Sequence, residues 1–436
     1  MFGYYLDLAL RSLKRNRGLT VVMVLAIALG IGATMTTLTV YHVLSGDPLP
    51  EKSNRIFYPQ IDPRGSSGVK PGDEPPDQWT RFDAEQLLQQ ARAKHQAVMT
   101  AGNVIGKIEG SSTRPMMLSA RYTSADFFPM FNVPLAEGKV WSRDDDATRG
   151  RVVVISSKLR EKLFGSQPAI GRALQLDGKD FRIIGVLGAF EPVPRFYDMS
   201  TGRYSGVEAV FIPYATSREL GFDTQGGMNC WGRPPQSEEG PRALNAPCAW
   251  LQYWVELGSA SEASAYKEYL ESYSRNQRAA GRFELDPNVR LHDLMGWLDY
   301  RKIVPADVKL QMWLAFGFLL VCLLNTIGLM LAKFLRRSGE YGVRRALGAS
   351  RRAIFLQCLM EAGVIGMAGG TLGLLLAWLG LWVVRRQPDD YVQFARMDFG
   401  MLAATFALAI VSSLLAGWLP AWRAARIPPA IQLKSQ

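Results

Sequence analysis

Three histidines and four cysteines are all that the 436 residues hold. His42, His95 and His292 lie far apart, and none sits in a His-Glu-x-x-His spacing that could grip zinc from one helix face. No Cys-x-x-Cys pair occurs, which removes zinc-ribbon and thioredoxin-like chemistry. There is no Gly-x-Ser-x-Gly elbow for a nucleophilic serine. There is no Gly-x-x-x-x-Gly-Lys-Ser/Thr loop either, so this polypeptide cannot cradle a nucleoside triphosphate by the P-loop mechanism. Asp144, Asp145 and Asp146 form an acidic run but lack the twelve-residue calcium-loop pattern, and read as a solvated turn. The sequence therefore predicts no catalytic residue, no metal ligand and no cofactor bound by this chain.

Acidic residues are also missing from the two ends. Residues 46–309 carry 33 basic and 33 acidic side chains, whereas the remaining 172 residues carry 17 basic and only six acidic ones. The whole excess of +11 thus sits outside the middle of the chain. A soluble nucleic-acid binder would carry that excess on its folded domain, so nucleic acid is not an expected partner.

What fills the ends is hydrocarbon. Runs 19–44, 310–332, 362–384 and 399–422 contain no Asp, Glu, Lys or Arg. A bilayer span needs about 20 such residues. The expected architecture is a membrane protein of four transmembrane α-helices, one before and three after a large α+β extracytoplasmic domain. Its segments are an elbow helix 1–17, a first span 18–45, the domain 46–309, a second span 310–335 and a loop 336–360. A third span 361–384, a short loop 385–398, a fourth span 399–422 and a tail 423–436 complete it. Lys and Arg gather before the first span, between the second and third, and after the fourth, while the 385–398 loop is balanced. The positive-inside rule then puts both termini in the cytoplasm and the domain outside it. Phe2, Tyr5, Leu6, Ala9, Leu10 and Leu13 recur at helical spacing opposite Arg11, Lys14 and Arg15, as in a helix lying in the lipid interface.

Within the domain, alternation and turn residues predict mixed elements. A helix is expected over 80–95, capped by Thr80. Strands are expected at 114–121, 151–156, 210–212 and 250–256, and helices at 124–130, 157–164 and 261–278. Segments 173–176 and 179–186 flank Asp177-Gly178, a type I′ hairpin signature. Segment 289–300 is expected to lead towards the second span. Cys230 and Cys248 fall in a Gly/Pro/Asn-rich stretch outside the cytoplasm, where an oxidising compartment favours a disulfide. Cys322 and Cys358 lie in or near spans, where a thiol packs as a small hydrophobe.

The loop between the second and third spans has the most specific pattern. It runs Arg337-Ser-Gly-Glu-Tyr-Gly-Val-Arg-Arg-Ala-Leu-Gly-Ala-Ser-Arg-Arg-Ala-Ile-Phe-Leu-Gln-Cys-Leu-Met-Glu361. Gly339, Gly342 and Gly348 break it into pieces, and Ser350 can cap a helix over 351–360 whose apolar face is Ile354, Phe355 and Leu359. Glu361, at the third span's end, is expensive in a membrane and is expected to pair with Arg351, Arg352 or water. Mid-span Asn325 is expected to hydrogen-bond across helices.

This loop resembles the cytoplasmic loop of macrolide-exporter-like ABC permeases, the MacB/FtsX/Lol superfamily. The matching residues are Glu340, Gly342, Arg344, Ala346, Leu347, Gly348, Ala349 and Glu361. Leu10-Arg-Ser-Leu-Lys-Arg-Asn16 resembles that family's elbow, 151–164 with 170–172 and 181–187 its external core, and Leu419-Pro-Ala-Trp-Arg-Ala-Ala-Arg-Ile-Pro-Pro429 its closing motif. The ending 427–433 departs from the usual Asp-Pro-x-x-Ala-Leu, and 225–247 around Trp231 looks like a decoration. The resemblance implies a permease subunit whose ATPase, with its ATP and Mg, is a separate polypeptide. Glu340, Gly342, Arg344, Arg345, Ala346, Leu347, Gly348, Ala349, Ser350, Arg351 and Phe355 would meet that ATPase. A second permease protomer would pack at the first and second spans, through Gly30, Gly32, Thr36 and Asn325. A membrane-fusion protein and an outer-membrane channel would complete an exporter of amphipathic cargo, housed in a bacterial inner membrane. A Lol-like lipoprotein extractor, an FtsX-like regulator of a cell-wall hydrolase and a four-span receptor needing no ATP are the alternatives.

Overall fold

The structure is a computed structural model that describes residues 8, 9, 11–13, 15–66, 69, 70, 72–108, 114–386 and 399–426. Most of the expected elbow, the loop from 387 and the tail from 427 lie outside the described residues. The chain divides into two compact units, Asp47–Ile303 and Met1–Gly46 with Val304–Gln436.

The first of these is built on a sheet. Its strands are β1 (Ile56–Gln60), β2 (Trp79–Thr80), β3 (His95–Lys107), β4 (Met116–Thr123), β5 (Leu135–Gly138), β6 (Val152–Ile155) and β7 (Ala173–Leu176). There follow β8 (Lys179–Leu187), β9 (Val210–Pro213), β10 (Thr224–Gln225), β11 (Asn229–Cys230), β12 (Cys248–Glu256) and β13 (Arg290–Asp293). The main path runs β13-β1-β12-β3-β4-β9-β6-β8-β5. Among the described residues only β4/β9 and β6/β8 pair in parallel, so the domain is α+β and not a doubly wound sheet. Val98, Leu118, Val153, Ile183, Ile212 and Leu251 are all buried and form one continuous core.

Local chemistry accounts for most boundaries. Asp177 and Gly178 both adopt positive φ, as a two-residue I′ turn between β7 and β8 requires. Asp177 also accepts the Ile105 N–H at 2.7 Å, fastening that hairpin to β3. Thr80 caps the Arg81–Gln90 helix, its hydroxyl accepting the Asp83 N–H at 3.2 Å. That helix is shorter than expected: Ala91 turns left-handed at φ 48° and β3 begins at His95. Segment 289–300 is likewise divided, into β13 and a helix Leu294–Tyr300 whose N-cap Asp293 accepts the Gly296 N–H at 2.7 Å. The acidic run is not merely solvated. Asp145 completes a capping box with Ser142, and Asp146 turns inward to accept the Ala125 N–H at 2.6 Å and the Trp141 indole N–H at 3.1 Å. Cys230 and Cys248, opposite each other on β11 and β12, are joined as a disulfide.

A fully enclosed charge network pins the stretch between β8 and β9. Arg121 on β4 donates to Asp198 at 2.7 Å and also pairs with Glu208. Arg195 donates to Glu208 at 3.0 Å, and the Tyr197 hydroxyl donates to its second oxygen at 2.8 Å. Two cations offset two carboxylates, so the network is neutral as a whole and intolerant of losing one member.

Among the described residues of the second unit are four helices long and apolar enough to cross a membrane: Arg17–Ser45, Ala306–Arg336, Arg351–Val384 and Phe399–Arg426. Glycines set their packing. A Cβ on Gly366 would fall 2.2 Å from Ser413 Cβ, and one on Gly370 2.6 Å from Ala409 Cβ, both on the fourth helix. One on Gly369 would fall 2.7 Å from Ile27 Cγ2, and one on Gly373 3.1 Å from Ile31, both on the first helix. The two interleaved Gly-x-x-x-Gly pairs therefore serve different neighbours, since close helix approach demands small residues on each contacting face.

Two outcomes test the domain's electrostatics. Arg121→Met leaves Asp198 without its guanidinium partner and Glu208 with Arg195 alone. We expect a loss of about 3–5 kcal/mol, read as a lower unfolding midpoint by Trp fluorescence; an unchanged midpoint would contradict the network's role. Burial pushes the Asp146 carboxyl up to about 7 against its two N–H donors. In the unfolded chain it titrates near ~4, so the folded state binds that proton more tightly. Stability from this group grows as pH falls from about 7 towards ~4 and is lost as pH rises. Asp146→Asn should shrink the stability difference between pH 5 and pH 8, and an undiminished difference would count against it.

Candidate functional site

The segment between the second and third membrane helices is a short helix joined to each of them by a tight turn. Arg337 closes Ala306–Arg336 and at once opens a short helix, Ser338–Ala346. Of the three loop glycines only Gly348 breaks the chain; Gly339 and Gly342 lie inside the short helix. Gly348 sits at φ +101°, which an L-residue rarely adopts. Its N–H reaches the Arg345 carbonyl at 3.1 Å, and the Ala349 N–H reaches that of Arg344 at 3.0 Å. Those two bonds are a Schellman stop, and they satisfy the helix's last carbonyls.

Ser350 then caps the next helix, accepting the Ala353 N–H at 3.2 Å. That helix does not end near 360 as the sequence suggested. It continues to Val384, because no proline or left-handed residue interrupts it. The free-standing piece is Ser338–Ala346, and 351–360 is the first part of the third membrane helix. Phe355, expected to face a partner, instead packs edge-on against Trp418 of the fourth helix at 5.5 Å.

One side of the short helix is held by its own chain. Tyr341 is buried, 6.5 Å from the Phe334 ring and 5.9 Å beneath the Arg337 guanidinium. Arg344 donates to Gln357 at 2.9 Å. Glu340 accepts from Arg337 at 2.9 Å and pairs with Arg15 of the N-terminal helical stretch. Burial alone would raise the Glu340 carboxyl; the Arg337 and Arg15 guanidiniums outweigh it and hold it below the usual carboxylate range. The other side is bare. Val343 is 55% exposed and Leu347 83% exposed, one helical turn apart, with Gly348, Ser350, Arg351 and Arg352 exposed beside them. Arg345 and Gly342 are half-buried, as is Ala349, while Ala346 is exposed.

Beneath this helix lies a charge cluster that the sequence reading missed. Glu361 pairs with Lys333, both essentially without exposure, and accepts from the Ser12 hydroxyl. Arg337 stands 3.7 Å from the same carboxylate and also donates to Ser12. The expected partners Arg351 and Arg352 are wrong for a geometric reason: they lie nine or ten residues earlier on the same helix, roughly 15 Å up its axis. Lys333, in the last turn of the second helix, comes from the side. Its sequence signal was present but read only as orientation-setting charge.

The residues expected at a dimer seam divide. A Cβ on Gly30 would fall 2.9 Å from Leu319, and one on Gly32 2.8 Å from Leu376. Thr36 bonds its own Gly32 carbonyl at 2.8 Å and lies against Gly380. All three are consumed by packing within the chain. Asn325 alone of the four is exposed, on a stripe with Val321, Leu324 and Gly328. Among the described residues no group of three His, Cys, Asp or Glu side chains is placed to hold a metal ion.

The buried pair and the exposed pair should separate cleanly. Glu361→Gln leaves the buried Lys333 without a counter-charge and should cost about 3–5 kcal/mol, seen as lost monodispersity after mild heating in detergent. Arg15→Ala removes an exposed partner and should cost under about 1 kcal/mol. Equal losses would contradict this ranking.

Two family models divide the chain between them. Residues 20–273 match the MacB-like periplasmic core domain and 312–429 the FtsX-like permease C-terminal region. The chain is 27% identical over 325 residues to the pyoverdine export ATP-binding/permease protein PvdT of Pseudomonas aeruginosa, covering 72% of this chain and 42% of that one. It is 24% identical over 444 residues to the macrolide export ATP-binding/permease protein MacB of Wolinella succinogenes, covering 99% and 60%. It thus spans roughly half the length of these relatives. The periplasmic region of MacB from Actinobacillus actinomycetemcomitans superposes at a TM-score of 0.35 and 13% identity, over 57% of this chain and 94% of that one. A core-domain match over more than half of the sequence, followed in order by the permease match, places this multi-pass membrane protein with its extracytoplasmic domain in the MacB-type family of ABC transporter permeases.

Proposed function

We propose that this chain is the mechanical subunit of an ABC exporter, converting the closure of an ATPase on another polypeptide into movement of its extracytoplasmic domain. The observation that carries this reading is the short helix Ser338–Ala346, with one face clamped and the other bare. A force-transmitting contact needs both properties. The exposed Val343 and Leu347 supply an apolar knob for a partner's groove, and flanking Arg351 and Arg352 orient it. The Tyr341, Arg344 and Glu340 contacts stop the helix from yielding when pulled. Arg337 and Ser350 join it without slack to the second and third membrane helices.

In this reading the segment faces the cytoplasm of a bacterial inner membrane, and ATP and Mg belong to the partner. Both termini lie on that same side. The domain Asp47–Ile303 lies in the periplasm and hands amphipathic cargo, such as a peptide, macrocycle or lipopeptide, to a membrane-fusion protein and an outer-membrane channel. Two permease protomers act together. The exposed Val321–Leu324–Asn325–Gly328 stripe of the second helix supports a seam there, since an amide in hydrocarbon needs a partner. Gly30, Gly32 and Thr36 are not part of it.

Reconstitution with the cognate ATPase tests both parts. Leu347→Asp and Gly348→Val should each reduce cargo-stimulated ATP turnover by about tenfold or more, equivalent to about 1.4 kcal/mol, while membrane insertion is retained. Undiminished stimulated turnover would contradict the coupling assignment. Cysteine at position 324 should cross-link two protomers, and cysteine at position 30 should not; the reverse pattern would overturn the seam.

A further inference from the structure

One cavity of the sheet-built domain is not used by anything above. It is a cleft of about 770 Å³ whose walls are the Arg81–Gln90, Arg143–Ala147 and Tyr214–Glu219 helices. Its volume falls in the range of small-ligand sites, roughly 300–1,000 Å³. The floor is formed by Gln96 at the start of β3 and by 124–126 beyond β4. Leu88, Ala91, Ala125, Ala147 and Ala215 line it with small apolar surface.

The charges at its mouth are already paired, each pair tying two elements together. Arg81 meets Glu239 at 2.7 Å, Arg143 meets Asp126 at 2.6 Å, and Arg149 meets Glu219 at 3.7 Å. Glu239 comes from the 225–247 decoration, whose base the Cys230–Cys248 disulfide closes. Two of the carboxylates facing the cleft are spent. Glu85 takes Arg81 and the Tyr214 hydroxyl, and Asp146 takes the Ala125 and Trp141 N–H groups.

The donors are not spent. Gln96 is only 4% exposed, and its Oε1 accepts the Tyr253 hydroxyl at 2.7 Å. Its amide nitrogen has no acceptor among the described residues, and the Arg218 Nε on the same lining is buried without one. Arg149 makes one long ion pair and is 60% exposed, which leaves most of its five donors free. A polar cleft with spare donors on Gln96, Arg149 and Arg218 and with small apolar patches between its charges suits an occupant that supplies acceptor oxygens on a compact apolar body.

We propose that this cleft binds the carboxylate-bearing end of a short apolar peptide. The carboxylate would accept from the Gln96 amide and the Arg149 guanidinium, which matches a carboxylate in two-bond geometry. The last two or three side chains would lie on the alanine-lined walls. A free fatty acid offers the same carboxylate and apolar body without peptide groups. The inference rests on the export reading only in making this peptide a cargo; the site itself stands without it.

The test uses the full-length chain in lipid nanodiscs with no ATPase present, so its failure is distinct from failure of coupling. Three probes are compared by saturation-transfer NMR: the tripeptide Ala-Leu-Leu as free acid, the same peptide as C-terminal amide, and octanoate. The acid should bind, with the amide and octanoate each weaker by about tenfold or more, a step of about 1.4 kcal/mol. Gln96→Leu should weaken the acid similarly. Ala147→Trp, at an exposed rim position where folding is not at stake, should abolish binding by filling the cleft. Equal binding of acid and amide would overturn the carboxylate assignment, and equal binding of octanoate the peptide assignment. Unchanged binding by Ala147→Trp would overturn the site.

Discussion

A carboxylate that has nowhere to go without its partners organises the helical half of this protein. Glu361 is buried in the third turn of the third membrane helix, and burying an isolated carboxylate is among the most expensive things a fold can do. Lys333 from the second helix, Arg337 from the junction and Ser12 from the N-terminal stretch all converge on it. Three separate parts of the chain are thereby fixed to one point. The short helix Ser338–Ala346 inherits that fixity through Arg337 and Glu340. Its outward face can be apolar and exposed because its inward face is not free to roll over and bury it.

Much of this architecture was legible in the sequence, for a simple reason. Uncharged runs longer than any ordinary core helix need no tertiary information to be read as spans, and the imbalance of Lys and Arg around them is equally local. Asp177-Gly178 and Thr80 were legible because turn and cap chemistry is decided within four residues. The errors came where long-range contact decides. β3 was hidden because His95–Lys107 mixes Gly, Asn and Thr with apolar residues and is held by strands on both sides, so its own alternation is weak.

At the candidate site, the motif residues were visible while their roles were not. Gly342 and Gly348 look alike in sequence, yet one lies in a helix and the other stops it. Phe355 reads as a docking residue until Trp418 is seen against it. Gly30 and Gly32 read as a dimer face until Leu319 and Leu376 occupy it. Lys333 was read as a topological charge because nothing in one dimension links it to a glutamate 28 positions on. In each case the residue type was informative and its partner was not.

The two halves solve different problems with the same economy. The sheet-built domain hides a neutral cluster of Arg121, Arg195, Asp198 and Glu208, and keeps a cleft whose rim charges are paired. The helical half shares its glycines between two neighbours and leaves the Val321–Leu324–Asn325–Gly328 face of the second helix exposed. The claim on which the functional account turns is that a separate ATPase grips Ser338–Ala346. Its most direct measurement is photo-cross-linking from a benzoylphenylalanine placed at position 347 in native membranes, with position 244 as control. The account predicts an adduct with an ABC ATPase from 347 and none from 244. An ATPase that cross-links to other loops and never to 347, or a protein that copurifies with no ATPase at all, would contradict it.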